Sequence, residues 1–199
     1  MAVLIREAGL LFIAEAHVAG RATAGALLTL GGEASAGHHD RLPEALQQGL
    51  VTPAELGELT VISTVRNHYD ALVTWWLQRG RGRSFIHFLQ LMVTMPGRLR
   101  DDRLYWKYFD DSDLVLRYED IERQLGELTA ERMGRRVAME VIGDNRKGDY
   151  RRHHDEHTRG LIATVFEVEL SAFGYGFEPA EAGAPVTRRP AWRDDPPPA

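Results

Sequence analysis

The sequence predicts an α/β fold built around a parallel sheet, and two observations support this prediction. Short apolar segments typical of buried strands recur at 10–14, 59–65 and 113–118. Segments with helical periodicity and helix-capping residues separate them. Strands joined through helices run parallel in one sheet, so we expect these three strands to be parallel neighbours.

The first half of the chain begins with a predicted strand at Leu10–Ala14. A loop through Gly20 follows it, and a helix is expected from Thr23 to Leu30, where Gly31 ends it. Two short helices come next, each with a proline near its first turn, at 43–48 and 53–56.

The second half repeats the alternation of strands and helices. Asn67 is a suitable N-cap for the helix that follows the strand at 59–65, and Ser84 is suitable for the next one. The predicted helices of this half lie at 67–78, 84–94, 119–133 and 155–173.

The composition indicates one domain and a separate tail. At 199 residues and 44% hydrophobic, the chain is long enough for one well-buried domain and too short for two. Six of the nine prolines follow Phe177, with few apolar residues among them. We therefore expect one domain over 1–177 and, over 178–199, a tail that is disordered or lies on a neighbour and has no chemical role.

The charge and the cysteine content restrict the class of protein. A net charge of −5 and a pI near 5.9 argue against nucleic-acid binding through bulk electrostatics, but they permit a small anionic ligand. The absence of cysteine excludes disulfides and thiolate catalysis and is compatible with a cytoplasmic location, which we expect. The apolar run at 9–19 is too short to span a membrane and follows no convincing signal sequence.

An arginine directly follows the predicted strand at 59–65. Ligands of open α/β sheets bind at the carboxyl ends of strands, and the planar guanidinium of Arg66 suits two phosphate oxygens. Thr74 adds a hydroxyl about two helical turns later. We predict that Arg66 and Thr74 form a phosphate clamp, with Arg66 outside the core. The alternative is that Arg66 pairs with Asp70 and only stabilises the helix start.

The loop at 15–23 follows the first predicted strand, where nucleotide-binding α/β folds place backbone N–H groups around a phosphate. Gly20 and Gly25 have the mutual spacing of a Walker A loop, but Ala26 and Leu27 stand where that motif requires Lys and Ser or Thr. A phosphate-binding loop and a simple strand–helix connection both remain open.

Several of these segments resemble the sulfotransferase family, in particular its carbohydrate-type and bacterial members. The segment 66–70 with Thr74 is similar to the family's 3′-phosphate motif, in which a proline stands at the position of His68 and a serine at that of Thr74. Three further matches follow in the family's order, at 116–120, at Arg146-Lys147-Gly148 and at Phe173-Gly174-Tyr175. The resemblance covers residues 10–177.

The resemblance implies a three-layer α/β/α sandwich with a central parallel sheet, similar to the P-loop NTPases. It also implies binding of 3′-phosphoadenosine 5′-phosphosulfate (PAPS) and transfer of its sulfuryl group to a hydroxyl or amine of a small-molecule or carbohydrate acceptor, without a metal. By analogy with phosphoryl transfer, the protein would mainly position groups and stabilise charge in a loose, in-line transition state.

The same resemblance implies the site residues. The 5′ side of the nucleotide would be bound by His17, Ala19, Gly20, Arg21, Ala22 and Thr23, and the 3′-phosphate by Arg66, Thr74, Arg146, Lys147 and Gly148. By position, His17 replaces the family's lysine, which stabilises charge on the leaving phosphate. His17 can do this only when it is protonated, and Arg21 is the other candidate for that role.

His38 and His39 are candidates for the general base. They follow the first helix, where some carbohydrate sulfotransferases have a similar Gly-His-His sequence near the acceptor. The pKa of histidine lies near neutral pH, which suits a base that accepts the proton of the acceptor. The alternative is a polar pair in a loop.

Two other functions compete with the sulfotransferase prediction. Without the loop lysine, the protein could be a catalytically impaired relative that binds a nucleotide or a partner. His153, Glu156 and His157 also fit the zinc-protease pattern His-x-x-Glu-His, which we reject because few residues remain to supply a third ligand. No motif identifies the acceptor or the oligomeric state.

Overall fold

The computed structural model describes residues 1–14, 19–37, 40–94, 109–139, 148–178 and 183–194. Its contacts divide the chain into two compact units. The first unit consists of Met1–Val65, Tyr105–Ile142 and Gly183–Ala199, and the second of Arg66–Leu104 and Gly143–Ala182.

The first unit contains a mixed sheet, which is six-stranded in the part of the chain that is described. The strands are β1 Ala2–Ile5, β2 Leu10–Ile13, β3 Glu33–Ala34, β4 Thr60–Val65, β5 Leu114–Arg117 and β6 Val186–Thr187. Their order is β3-β1-β2-β4-β5-β6. The three predicted strands are parallel neighbours, as expected, because β4 pairs in parallel with β2 and β5. The other pairings are antiparallel, so the sheet is not wholly parallel.

The first strand was missed because a tight turn, rather than a helix, joins it to β2. A short 3₁₀ helix at Arg6–Ala8 ends at Gly9, which has a left-handed φ of 61° and donates its N–H to the carbonyl of Arg6. The chain reverses there, and β1 pairs antiparallel with β2 over their full length. The strand predicted first is therefore the second in the chain.

Most helices lie where the sequence predicts them. They are α1 Gly20–Thr29, α2 Leu42–Gln47, α3 Pro53–Leu56, α4 His68–Arg79, α5 Phe85–Thr94, α6 Ile121–Met133, α7 Glu156–Val165 and α8 Glu167–Phe173. In the described residues, none of the helices combines the length and the apolar character that a membrane span requires.

Helices cover both faces of the sheet in the first unit. Alternate strand residues point to opposite faces, as the pleat requires. The strand residues that pack with α1 and α6 include Val3, Ile5, Leu10, Phe12 and Ile62. Those that pack with α2 and α3 include Ala2, Leu4, Leu11, Ile13 and Val61. This unit is therefore a three-layer α/β structure with a mixed central sheet.

The second unit is helical in its described part, with contacts among α4, α5 and α7. The single helix expected over 155–173 is two helices, because the backbone leaves the helical conformation at Phe166, with φ −111° and ψ 24°. The predicted start is confirmed, since the carboxylate of Asp155 accepts from the N–H of Thr158 at 2.7 Å. The hydroxyl of Thr158 in turn accepts from the N–H of Asp155, which completes a capping box.

The C-terminal segment 183–194 is part of the first unit. It lies within the tail 178–199, which the sequence predicts to be disordered or to lie on a neighbour. Strand β6 pairs with β5, and the indole N–H of Trp192 donates to the carbonyl of Asp111 at 2.9 Å. The guanidinium of Arg193 donates two parallel hydrogen bonds, of 2.8 and 2.7 Å, to the carboxylate of Asp113. Polar side chains thus hold a segment whose apolar content is too low to predict order.

Candidate functional site

The predicted phosphate clamp lies at the start of α4, directly after β4. Asn67 is the N-cap, as predicted: its side-chain oxygen accepts from the N–H of Tyr69 at 3.1 Å. Its amide nitrogen donates to the carbonyl of Gly176 at 2.8 Å. The first turn of α4 is therefore held by its own cap and by the segment that follows α8.

Arg66, Asp70 and Thr74 form one hydrogen-bonded group within the second unit. One carboxylate oxygen of Asp70 lies 2.6 Å from Nε and 2.5 Å from Nη2 of Arg66. Nη2 also donates to the hydroxyl of Thr74 at 3.0 Å, and that hydroxyl donates to the carbonyl of Asp70 at 3.2 Å. The two residues of the predicted clamp are thus in direct contact, together with the acidic partner that the alternative proposed.

The sequence led us to expect Arg66 outside the core, but the structure buries this residue. It is 3% exposed. Burying a guanidinium without a counter-charge costs several kcal/mol, so the carboxylate of Asp70 is what makes this position tolerable. A negative charge in the first turn of α4 also interacts favourably with the helix dipole. A phosphate that binds Arg66 would have to share or replace these contacts.

His68 occupies the first helical position of α4, at the position where the sulfotransferase motif that the sequence resembles has proline. It is fully buried, and its ring centroid lies 4.5 Å from that of Phe166. Burial lowers the pKa of His68 to about 3, so the imidazole is neutral at physiological pH. His68 therefore contributes packing and no charge to the start of α4.

The start of α1, in the first unit, is built differently. The helix begins at Gly20, three residues earlier than predicted, and its N-cap is Ala19. Ala19 has a left-handed φ of 62°, which is uncommon for a residue other than glycine, and no side chain caps the helix. The N–H groups of a first turn lack intrahelical acceptors. The predicted ligands Gly20, Arg21 and Ala22 occupy this turn.

Thr23 follows in the same helix and is fully buried. Its hydroxyl has no hydrogen-bond partner among the residues that the structure describes. Leaving a buried hydroxyl unsatisfied costs about 1–3 kcal/mol. Arg21, by contrast, is exposed. The start of α1 therefore combines an uncapped first turn with a buried hydroxyl that is available to a ligand.

Five of the predicted site residues lie outside the described part of the chain, namely His17, His38, His39, Arg146 and Lys147. Their roles stay predictions. Gly148 is described, and its φ of 62° is left-handed. A Cβ atom there would lie 3.2 Å from Cζ of Arg152, at the far end of an exposed side chain, so it is the left-handed φ that favours glycine.

The zinc pattern does not assemble into a metal site within the described ranges, where no group of three His, Cys, Asp or Glu side chains could hold a metal ion. His153 ends a short 3₁₀ helix, and its ring lies 5.6 Å from that of Trp76. Glu156 and His157 form the first turn of α7.

Sequence reasoning missed the role of His154, which the zinc pattern had included only as an intervening residue. Its Nε2 lies 3.1 Å from the carbonyl of Tyr69, in the first turn of α4. The rings of Phe85 and Phe177 lie 5.0 and 5.4 Å away, and burial lowers the pKa of His154. Spacing along the chain gives no signal for this contact, because it joins residues that are 85 positions apart.

No protein-family model, curated protein or solved structure matches the chain. Inferences about its function therefore depend on the motifs and on the geometry of the two helix starts.

Proposed function

We propose that the protein is a PAPS-dependent sulfotransferase that transfers a sulfuryl group to a hydroxyl or amine of a small-molecule or carbohydrate acceptor. The contact between Arg66 and Thr74, at 3.0 Å, is the observation that supports this most directly. It brings a guanidinium and a hydroxyl together directly after β4, and both groups can donate hydrogen bonds to a phosphate.

The proposal assigns a different part of the nucleotide to each helix start. The 3′-phosphate belongs to Arg66 and Thr74, with the loop 146–148. The 5′-phosphosulfate belongs to the start of α1, where the uncapped N–H groups and the hydroxyl of Thr23 supply donors and the exposed Arg21 supplies positive charge.

The chemistry needs charge stabilisation more than covalent participation. As the sulfuryl group leaves, negative charge develops on the bridging phosphate oxygen, and His17 or Arg21 would stabilise it. His38 or His39 would accept the proton of the acceptor. No step in this scheme needs a metal ion.

Calorimetry with two nucleotides tests the proposed clamp. Adenosine 3′,5′-bisphosphate should bind at least about tenfold more tightly than adenosine 5′-phosphate, because a hydrogen bond to a charged group contributes about 1.5–3 kcal/mol. Equal affinities would contradict the assignment of Arg66 and Thr74. Transfer from PAPS to sugar, phenol and amine acceptors then tests the reaction itself.

A second candidate is a protein that binds the nucleotide without transferring sulfate, which the replacement of the loop lysine by His17 favours. Binding of the bisphosphate without transfer to any acceptor would support it. If transfer occurs through protonated His17, the rate should fall as pH rises above neutral, and His17→Lys should flatten that fall. A pH profile that the substitution leaves unchanged would assign the role to Arg21.

A further inference from the structure

We propose that Asp70 is a positioning residue, which orients the guanidinium of Arg66 so that it discriminates nucleotides with a 3′-phosphate from those without one. This inference rests on the proposed nucleotide binding. It assigns to Asp70 a role in selectivity, in addition to its role as a counter-charge.

The first argument is geometric. A single oxygen of Asp70 accepts from Nε at 2.6 Å and lies 2.5 Å from Nη2, so it contacts one edge of the planar guanidinium. Thr74 accepts from Nη2 at 3.0 Å. The two contacts of Asp70 along one edge of the guanidinium and the contact of Thr74 with Nη2 fix both the plane of the guanidinium and its rotation.

The second argument concerns rigidity. Arg66, Asp70 and Thr74 are spaced by four residues, so Asp70 and Thr74 lie on one face of α4, one turn apart. The cap formed by Asn67 and the contact of His154 with the carbonyl of Tyr69 hold the first turn. A side chain that is ordered before the ligand arrives loses less conformational entropy on binding.

The opposite role for Asp70 would be competition, in which its carboxylate occupies Arg66 and the phosphate must displace it. The contacts favour positioning, because they use the edge formed by Nε and Nη2. Asp70 contacts Nε and Nη2, and Nη2 donates its other N–H to Thr74. A phosphate that accepts this N–H in place of Thr74 leaves the contacts of Asp70 unchanged. The two roles predict opposite effects of removing the carboxylate.

The test compares the ratio of the dissociation constants of adenosine 5′-phosphate and adenosine 3′,5′-bisphosphate in four proteins. These are the wild type, Asp70→Asn, Asp70→Glu and the control Glu167→Gln, which removes an exposed carboxylate from the first turn of α8. Positioning predicts that Asp70→Asn lowers the ratio about tenfold, the effect of about one hydrogen bond to a charged group. The affinity of Asp70→Asn for adenosine 5′-phosphate should equal that of the wild type. The ratio for Asp70→Glu should lie between those of Asp70→Asn and the wild type, and the control should keep the wild-type ratio.

An unchanged ratio in a folded Asp70→Asn variant would overturn the inference, and a raised ratio would establish competition instead. If Asp70→Asn fails to fold, Asp70→Glu tests the inference. Its longer side chain keeps the charge but moves the carboxylate, so positioning predicts a ratio of dissociation constants below that of the wild type. A wild-type protein with no preference for the bisphosphate would contradict the proposed function itself. A wild-type preference that both Asp70 variants retain would contradict only the role of Asp70.

Discussion

Two helices of this protein, α1 and α4, each follow a parallel strand, and a predicted phosphate ligand lies at or just before the start of each, yet their first turns differ. The N-cap of α4 is Asn67, whose side chain accepts from the helix. The N-cap of α1 is Ala19, which has no side-chain acceptor and a left-handed φ of 62°. Arg66 is neutralised by Asp70, whereas the buried hydroxyl of Thr23 has no hydrogen-bond partner within the described residues.

The difference indicates what each helix start contributes when a ligand binds. At α1, an anion would make hydrogen bonds that the protein lacks without it, so most of their free energy would appear as affinity. At α4, an anion would join a group that is already satisfied, so the net gain is smaller but depends more on geometry. We therefore expect α1 to contribute mainly affinity and α4 mainly selectivity.

The largest effect is expected for Arg66→Ala. The substitution leaves the carboxylate of Asp70, whose side chain is 13% exposed, without its cation. Breaking a fully buried pair costs about 3–5 kcal/mol, so this range is the upper limit of the expected loss. The substitution should also weaken binding of the bisphosphate by about ten- to a hundredfold. Urea denaturation measures the first effect and calorimetry the second. A variant as stable as the wild type would show that the ion pair does not stabilise the fold.

The double variant Arg66→Ala, Asp70→Asn is the matched control. It removes both charges, so it should regain part of the lost stability while bisphosphate binding stays weak. Recovery of both properties together would mean that Arg66 acts only through the fold.

Acid should destabilise the protein through His68. Histidine titrates near 6.5 in the unfolded chain, whereas burial lowers the pKa of His68 to about 3 in the fold. Between these values only the unfolded state takes up the proton, so the free energy of unfolding falls as pH decreases. At about 1.4 kcal/mol per pH unit, His68 should account for a loss of about 3 kcal/mol between pH 6.5 and 4.

His68→Pro is the control for this prediction. Proline is favoured at the first helical position, and Asn67, with φ −53° and ψ 122°, has a conformation that a following proline accepts. The variant should fold and should lose less stability than the wild type between pH 6.5 and 4 in urea titrations. Equal losses in the two proteins would mean that His68 is not the group responsible.

Two threonine variants should change stability in opposite directions. Thr74→Val removes an acceptor of Arg66 and should destabilise the protein by about 1.5–3 kcal/mol. Thr23→Val replaces a buried hydroxyl that has no hydrogen-bond partner among the described residues, and should stabilise it by about 1 kcal/mol. Nucleotide binding should weaken in both. Equal destabilisation by the two variants, measured by urea unfolding, would contradict the difference between the helix starts.

The smallest effect is expected for Ala19→Gly. The left-handed φ of Ala19 is unfavourable by about 1 kcal/mol for alanine but not for glycine. The variant should therefore be more stable than the wild type by up to that amount. Ala163→Gly, in the exposed interior of α7, should instead be less stable by about 0.5–1 kcal/mol. Thermal melts of both variants would show whether Ala19 is strained, and a loss of stability in Ala19→Gly would refute it.

Local signals predicted much of the fold. The strands β2, β4 and β5 and the cap at Asn67 were found from apolar runs and capping chemistry, which act over a few residues. The starts of α1 and α7 differ in how well local signals predicted them. The predicted start of α7 at Asp155 agrees with the residue that caps it, whereas the left-handed Ala19 gives no sequence signal, so α1 was predicted to begin three residues too late.

The sequence by itself determined the alternation of strands and helices, the parallel centre of the sheet and the pairing of Arg66 with Thr74, because these follow from short-range periodicity and motif spacing. Only the tertiary structure decided the antiparallel strands β1, β3 and β6, the burial of Arg66 and the attachment of the C-terminal segment through Arg193 and Asp113. These features depend on which distant groups share a face or an edge. A buried charge or an unpaired strand edge is stabilised by whatever partner the fold brings to it, and spacing along the chain does not specify that partner.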